Sequence, residues 1–301
     1  MKVKKVITGM LLIAIFITQI NIIPFNNYVY AQETEGTTNN EKFHYQQLDN
    51  TAKKIYDGIC EMYEQGILKT GIESFDLAKD DKYVTQEQLE SYMKGNNELK
   101  VAMNAARYAF YADYPEVFYI QIQKINLRVT KDAQNRYHAN LGSGNLKNYY
   151  VDGFTSKEQV EEELITFNNI VNQIAEEAKN LKVEEGKELV TEQVKYIHNK
   201  IINETSYRLE SDCTEGNEGF LGTPYGALVK KQAVCEGYAR AFKIILDKVG
   251  INNILVQGTH QSEGSAAVSH MWNYVEIEKQ TNARAIEKVW YAVDCTMDDP
   301  F

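Results

Sequence analysis

The stretch Tyr225-Gly226-Ala227-Leu228-Val229-Lys230-Lys231-Gln232-Ala233-Val234-Cys235-Glu236-Gly237-Tyr238-Ala239 decides how this chain is read. It places a thiol where a loop containing Gly and Pro turns into an amphipathic helix. Val234, Tyr238, Ala241, Phe242, Ile245 and Val249 recur at the helical period, and Gly250 ends the run. A thiol attacks only as thiolate, and a free Cys is mostly protonated at neutral pH. In the first turn of a helix, unpaired N–H groups and the positive dipole end favour the anion. The same N–H groups suit the oxyanion of a tetrahedral intermediate.

Downstream, His270 and Asp294 fall in two strand-like segments, 270–278 and 287–296. An antiparallel pairing of 277 with 287 puts 274 opposite 290, 272 opposite 292 and 270 opposite 294. Residues directly opposite share a face of the sheet. His270 and Asp294 then become neighbours, as an imidazole and its orienting carboxylate must be. This register leaves residues 278–286 as the connection and sets Trp272 and Ala292 beside the pair. A slip of one residue would part the two side chains. A lone Cys on a helix is more often a small buried hydrophobe, and a lone strand His more often structural. The three together in compatible elements point to nucleophile, base and orienter: Cys235, His270 and Asp294.

Other residues carry weaker signals. Gln232, three before the thiol, is a candidate oxyanion donor. Tyr225, Trp272 and the pair Tyr149-Tyr150 are candidate cleft residues, with core or rim packing as the default. His198 lies on a helical stripe and reads as structural. His260 reads as a solvated loop residue.

Composition fits a globular protein of 301 residues, with 44% hydrophobic and 25% charged residues. A net charge of −10 argues against nucleic acid or an anionic membrane as main partner. Lys2, Lys4 and Lys5 precede an apolar run from Val6 to Ile17, and Val29-Tyr30-Ala31 fits a small-x-small cleavage site. Residues 1–31 therefore read as a secretory signal peptide, too short in its apolar part for a membrane span. The expected location is extracellular or at the cell surface, with no further membrane segment. Secretion raises the question of disulfides among Cys60, Cys213 and Cys295; a pair of Cys213 with Cys295 is one guess, and buried thiols are an equal reading.

Residues 32–40 are small and polar, a disordered tail by composition. Leu48, Ala52, Ile55, Ile59 and Met62 predict a helix, and a second runs over 98–112 until Asp113-Tyr114-Pro115 stops it. Residues 117–122, 124–130, 135–141 and 147–152 read as strands. A long helix comes next over 156–182, capped by Ser156 and Gln159, with Val160, Leu164, Phe167, Ile170, Val171 and Ile174 as its buried stripe. Another helix covers 189–203, and 205–224 is a long irregular loop of the kind that carries function. Residues 254–258 form a short strand. Gly186 breaks or kinks the long helix; the mature chain is read as an N-terminal α+β region, 32–185, serving as scaffold or substrate platform, and a core, 186–301, whose extent is that of the resemblance given next.

Three blocks now carry a resemblance. Cys235-Glu236-Gly237-Tyr238-Ala239-Arg240-Ala241-Phe242, Ser269-His270-Met271-Trp272-Asn273, and Trp290-Tyr291-Ala292-Val293-Asp294-Cys295-Thr296-Met297-Asp298-Asp299-Pro300 resemble the motifs of the transglutaminase-like superfamily, in its secreted bacterial branch. Tyr225-Gly226-Ala227-Leu228 and Val194-Lys195-Tyr196-Ile197-His198 also fit, and the resemblance covers about residues 185–301. Asp113-Tyr114-Pro115-Glu116-Val117-Phe118-Tyr119 is a weaker upstream likeness. Met297 departs from the family's usual Trp, and the chain stops seven residues after Asp294, which suggests a fragment.

The resemblance implies a papain-like α+β core, with the Cys helix packed on an antiparallel sheet. It implies Cys235 as nucleophile, His270 as base and acid, and Asp294 as orienter. The family's reactions begin with thiolate attack on an amide to give a thioester; water then gives hydrolysis and an amine gives a cross-link. No metal or other cofactor is implied. The expected substrate is a protein or cell-wall peptide. A deglycosylating amidase and a non-catalytic surface or adhesion module are the other readings.

Overall fold

The computed structural model describes residues 4–5, 42–70, 75–142, 149–184, 188–208, 218–261, 266–282 and 285–299. The expected signal peptide, except for Lys4–Lys5 (β1), and the polar tail lie outside the described residues, as do Gly186 and Cys213. Two compact units are present: Asn39–Glu162, and Glu163–Phe301 together with Met1–Thr38.

In the first unit, α1 (Phe43–Gln46), α2 (Asn50–Glu64), α3 (Gln86–Met93) and α4 (Glu98–Asp113) surround an apolar core. The expected stripe of Leu48, Ala52, Ile55, Ile59 and Met62 is buried. Asp49 caps α2 by accepting from the Ala52 N–H at 2.8 Å. The Asp113 carboxylate accepts from the N–H of Tyr45 at 3.1 Å and the hydroxyl of Tyr56 at 3.0 Å, tying α1 and α2 to the end of α4. α3 has no counterpart among the predicted helices. It buries only Leu89, and its signal is the capping box of Thr85 and Gln88 rather than an apolar stripe.

The strands β2 (Asn126–Lys131) and β3 (Tyr137–Gly142) pair antiparallel close to their expected spans. Among the described residues, no strand forms over 117–122 or over 149–152, the described part of the one expected at 147–152. What remains is a single bridge, Ile120 with Tyr150. The apolar run 117–122 is buried irregular chain, and a short continuous apolar run signals burial without fixing backbone conformation.

The units divide inside α5 (Lys157–Lys179), whereas the resemblance suggests a division at 185–186. The C-terminal half of α5 packs against the next helix, α6 (Leu189–Glu204). Gln193 of α6 donates to the Ala178 carbonyl at 3.2 Å, and the Tyr196 hydroxyl donates to Glu177.

After α6 come β4 (Ser206–Tyr207), a π-helical turn (Gly226–Lys230) and β5 (Gln232–Ala233), which runs parallel to β4. Next is α7 (Cys235–Val249), which ends at Gly250, whose φ of +91° forms a left-handed cap. The sheet consists of β6 (Asn253–His260), β7 (Val268–Asn282) and β8 (Ala285–Val293), all antiparallel, with β1 against β8. α7 lies on β6 and β7 with Tyr238, Ala241, Phe242 and Ile245 buried. This is an α+β core of one helix laid on an antiparallel sheet.

The β7–β8 register differs from the expected one by two residues: Ile277 faces Val289, and Asn273 faces Val293. The expected connection over 278–286 is mostly strand. Lys279 pairs with Glu287, and a bulge between Gln280 and Asn282 leads to a pair of Asn282 with Ala285. Opposite charges explain why these polar residues stay in the ladder: Glu278 faces Lys288, and Lys288 also reaches the Glu276 carboxylate at 3.3 Å. The expected pairing of His270 directly opposite Asp294 is not formed: the shift of two preserves parity, but the ladder ends at Asn273–Val293, and Asp294 reaches His270 from just beyond the strand.

Candidate active site

Cys235 is the first residue of α7 and is half-buried. Its predecessor Val234 is extended (φ −96°, ψ 178°) and offers no side-chain cap to the helix. The first-turn N–H groups are thus left without the side-chain acceptor that Asp49 gives α2. The approach to the thiol is fixed by backbone bonds. Val234 N–H donates to the Leu221 carbonyl at 3.0 Å, Ser206 N–H to Lys231 at 2.9 Å, and Arg208 N–H to Ala233 at 3.0 Å. Gly237 lets the first turn close on that loop: a Cβ there would stand 2.4 Å from the Leu221 carbonyl oxygen.

His270 lies in β7 opposite Gly258 of β6 and is 8% exposed. Its Nε2 is 2.7 Å from Asp294 Oδ2. The other carboxylate oxygen of Asp294 accepts from the N–H groups of Thr296 at 3.1 Å and Met297 at 3.2 Å. That leaves Nδ1 of the ring for the Cys235 thiol, which is hydrogen-bonded to His270. Burial pulls the imidazole's pKa down, but the hydrogen bonds and charges of Asp294 and Cys235 outweigh it and raise it to about 9. The protonated ring is therefore favoured at neutral pH, beside the Cys235 side chain. Trp272 stacks on this ring, with centroids 6.0 Å apart and planes at 22°. Its indole lies over Gly258, where a Cβ would come within 2.6 Å.

The weaker candidates are placed differently. Gln232 is exposed on β5, just before the thiol. Tyr225 is 1% exposed; its ring lies 5.2 Å from Phe220, and burial and a hydrogen bond to Glu163 hold its phenol protonated. That is a core role. Tyr149 and Tyr150 belong to the first unit and donate to the carbonyls of Leu68 and Lys69. His198 is fully buried, with Nδ1 3.0 Å from Asn199 Oδ1 and Nε2 3.3 Å from Asp298 Oδ2.

Two neighbours of the site are not evident from the sequence. His260 belongs to β6, with its ring centroid 5.6 Å from that of His270. The ladder sets it on the same face as Gly258, which the brevity of the expected strand hides. Tyr207 is near enough to Cys235 for a thiolate there to raise its phenol pKa further, beyond the effect of its burial. The signal for it is the irregular loop that precedes the nucleophile.

Cys60 and Cys295 are free thiols. Burial pushes Cys60 up to about 12, and complete burial holds Cys295 well above its ordinary value. Among the described residues, no group of three or more His, Cys, Asp or Glu is arranged to hold a metal ion, and no helix is long and apolar enough to cross a membrane.

Residues 177–295 match the transglutaminase-like superfamily. No curated protein matches the chain. A solved structure described as "Crystal structure of a TGase" is similar over 57% of this chain and 44% of its own length, with 16% identity and a TM-score of 0.33. The chain thus spans less than half the length of that structure.

Proposed function

From a transglutaminase-like domain at residues 177–295, we infer that this protein is a cysteine-dependent acyl transferase or hydrolase acting on amide bonds. The observation that carries this reading is the chain of contacts from Cys235, at the open first turn of α7, through His270 to Asp294. In the reaction, the Cys235 thiolate attacks a carboxamide carbon, and the charge on its oxygen develops toward the first-turn N–H groups. The C–N bond breaks as the His270 imidazolium gives its proton to the departing nitrogen, leaving a thioester and a free amine or ammonia. Water or a primary amine then adds to the thioester, loses a proton to the now neutral His270, and releases the thiol. Asp294 holds the ring in register and stabilises its charged form. Trp272 shields the ring's face from water.

Cys235, His270 and Asp294 serve both halves of this reaction. The acyl donor is a protein or cell-wall peptide, met outside the cell or at its surface; the lysine-led apolar segment at 1–31 supports that location. Incubation with a glutamine-bearing protein and a fluorescent primary amine separates the outcomes. Incorporation of the amine marks transamidation, and release of ammonia without incorporation marks hydrolysis. Both vanish in Cys235→Ala. Turnover of a glycosylated asparagine alone would assign the amidase reading. No turnover on any amide would leave the fold as a surface or adhesion module.

A further inference from the structure

We propose that Tyr238 is a positioning residue for Asp294, mooring the turn on which that carboxylate stands to the helix that carries Cys235. The proposal rests on the acyl-transfer reading of the site. The β7–β8 ladder ends at the pair Asn273–Val293, so Asp294 lies just beyond the sheet and takes its orientation from the turn it begins. That turn is local: Thr296 and Met297 donate to the Asp294 side chain, and the Asp298 N–H donates to the Asp294 carbonyl at 3.3 Å. A turn of this size off the end of a strand is free to pivot unless its far end is held.

Its far end is held from α7. Tyr238 is fully buried and lies one turn after Cys235 on the same face of α7. Its single hydroxyl proton is shared between two acceptors, the carboxylate of Asp299 and the Thr205 carbonyl 2.9 Å away. Thr205 in turn donates its hydroxyl to the Ala227 carbonyl at 3.0 Å and precedes β4, the strand paired to the approach to Cys235. One hydroxyl therefore touches both the segment that aims the thiol and the segment that aims the carboxylate.

The ring of His270 reports on this mooring, because the groups facing it are known: Asp294, Cys235, the rings of Trp272 and His260. The test follows the ring's titration by NMR in the full chain, together with kcat and KM for amine incorporation. Tyr238→Phe keeps the ring and its packing and deletes only the hydroxyl. Asp299→Asn removes the charge at the other end without touching α7, so a folding failure in one variant leaves the other to decide. In both, the His270 midpoint falls from about 9 toward 6.5, and kcat drops about tenfold with KM changed less than about twofold. A midpoint and kcat within about twofold of wild type in both variants, with only the melting temperature lowered, would make Tyr238 a merely structural residue and overturn the proposal. If wild type shows no acyl transfer yet both variants still move the His270 midpoint, the mooring stands and only the acyl-transfer reading fails.

Discussion

At the scale of the residue, His270 decides how the site behaves with pH. An ordinary imidazole titrates near 6.5; here burial lowers the pKa, while Asp294 and Cys235 raise it further, to about 9. A raised pKa means that the folded state binds the proton more tightly than the unfolded chain. The stabilisation is complete below about pH 6.5 and is lost as pH rises through about 9. In the proposed reaction the proton donor for the leaving nitrogen is lost over the same window, so acyl transfer is expected to show an alkaline limb near pH 9. Asp294→Asn removes the carboxylate that outweighs burial. Its alkaline limb shifts toward neutral pH, and kcat falls by a factor on the order of 100 to 10,000, measured as a pH–rate profile of amine incorporation. That Cys235, His270 and Asp294 come together is legible in the sequence, because strand parity and the helix start place them within reach of one another. The place of Tyr238 is not, because its partner, Asp299, reads as part of an ordinary acidic turn until the turn is seen folded against α7.

At the scale of the element, helices with a clear stripe are legible and the phase of the hairpin is not. α7 and α4 lie within a residue or so of their expected bounds, since apolar spacing, Pro115 and Gly250 all mark them. The β7–β8 pairing is legible only in its parity. Alternation fixes which side chains share a face, but the number of paired residues at the turn fixes the register. Cross-strand charge pairs such as Glu278 with Lys288 carry the ladder further than a polar stretch suggests. The N-terminus of α7 makes a sharper prediction. Gly237→Ala would drive a methyl toward the Leu221 carbonyl and the Ala233 side chain, both fixed by the loop that presents the thiol. The expected cost is about 1–3 kcal/mol, read as a lower urea midpoint with an unchanged m-value. Amine incorporation falls with it, because the turn moves Cys235 relative to His270. A neutral substitution would mean that the loop gives way freely and does not aim the thiol.

At the scale of the whole molecule, the site belongs to the unit of Glu163–Phe301, and that unit begins inside α5 rather than at the glycine that punctuates the sequence. The difference is physical: Gly186 interrupts the helical pattern of the sequence, but Glu177 and Ala178 upstream of it bond to Tyr196 and Gln193 of α6. A fragment beginning at residue 157 is therefore expected to melt at a higher temperature than one beginning at 186, by several degrees for a lost pair of hydrogen bonds and the apolar face of α5. Equal melting temperatures would detach α5 from the folding unit. Everything built on the site depends on whether Cys235 is a thiol activated by its setting, and one measurement reads that directly. Intact protein is treated with iodoacetamide at about pH 6.5, and labelling of each cysteine is followed by mass spectrometry. Cys235 is expected to react at least about 100-fold faster than Cys60, whose thiol is pushed up to about 12, and His270→Ala should slow the labelling of Cys235 itself by at least about tenfold while leaving Cys60 unchanged. Slow labelling of Cys235 at the rate of Cys60 would contradict the account.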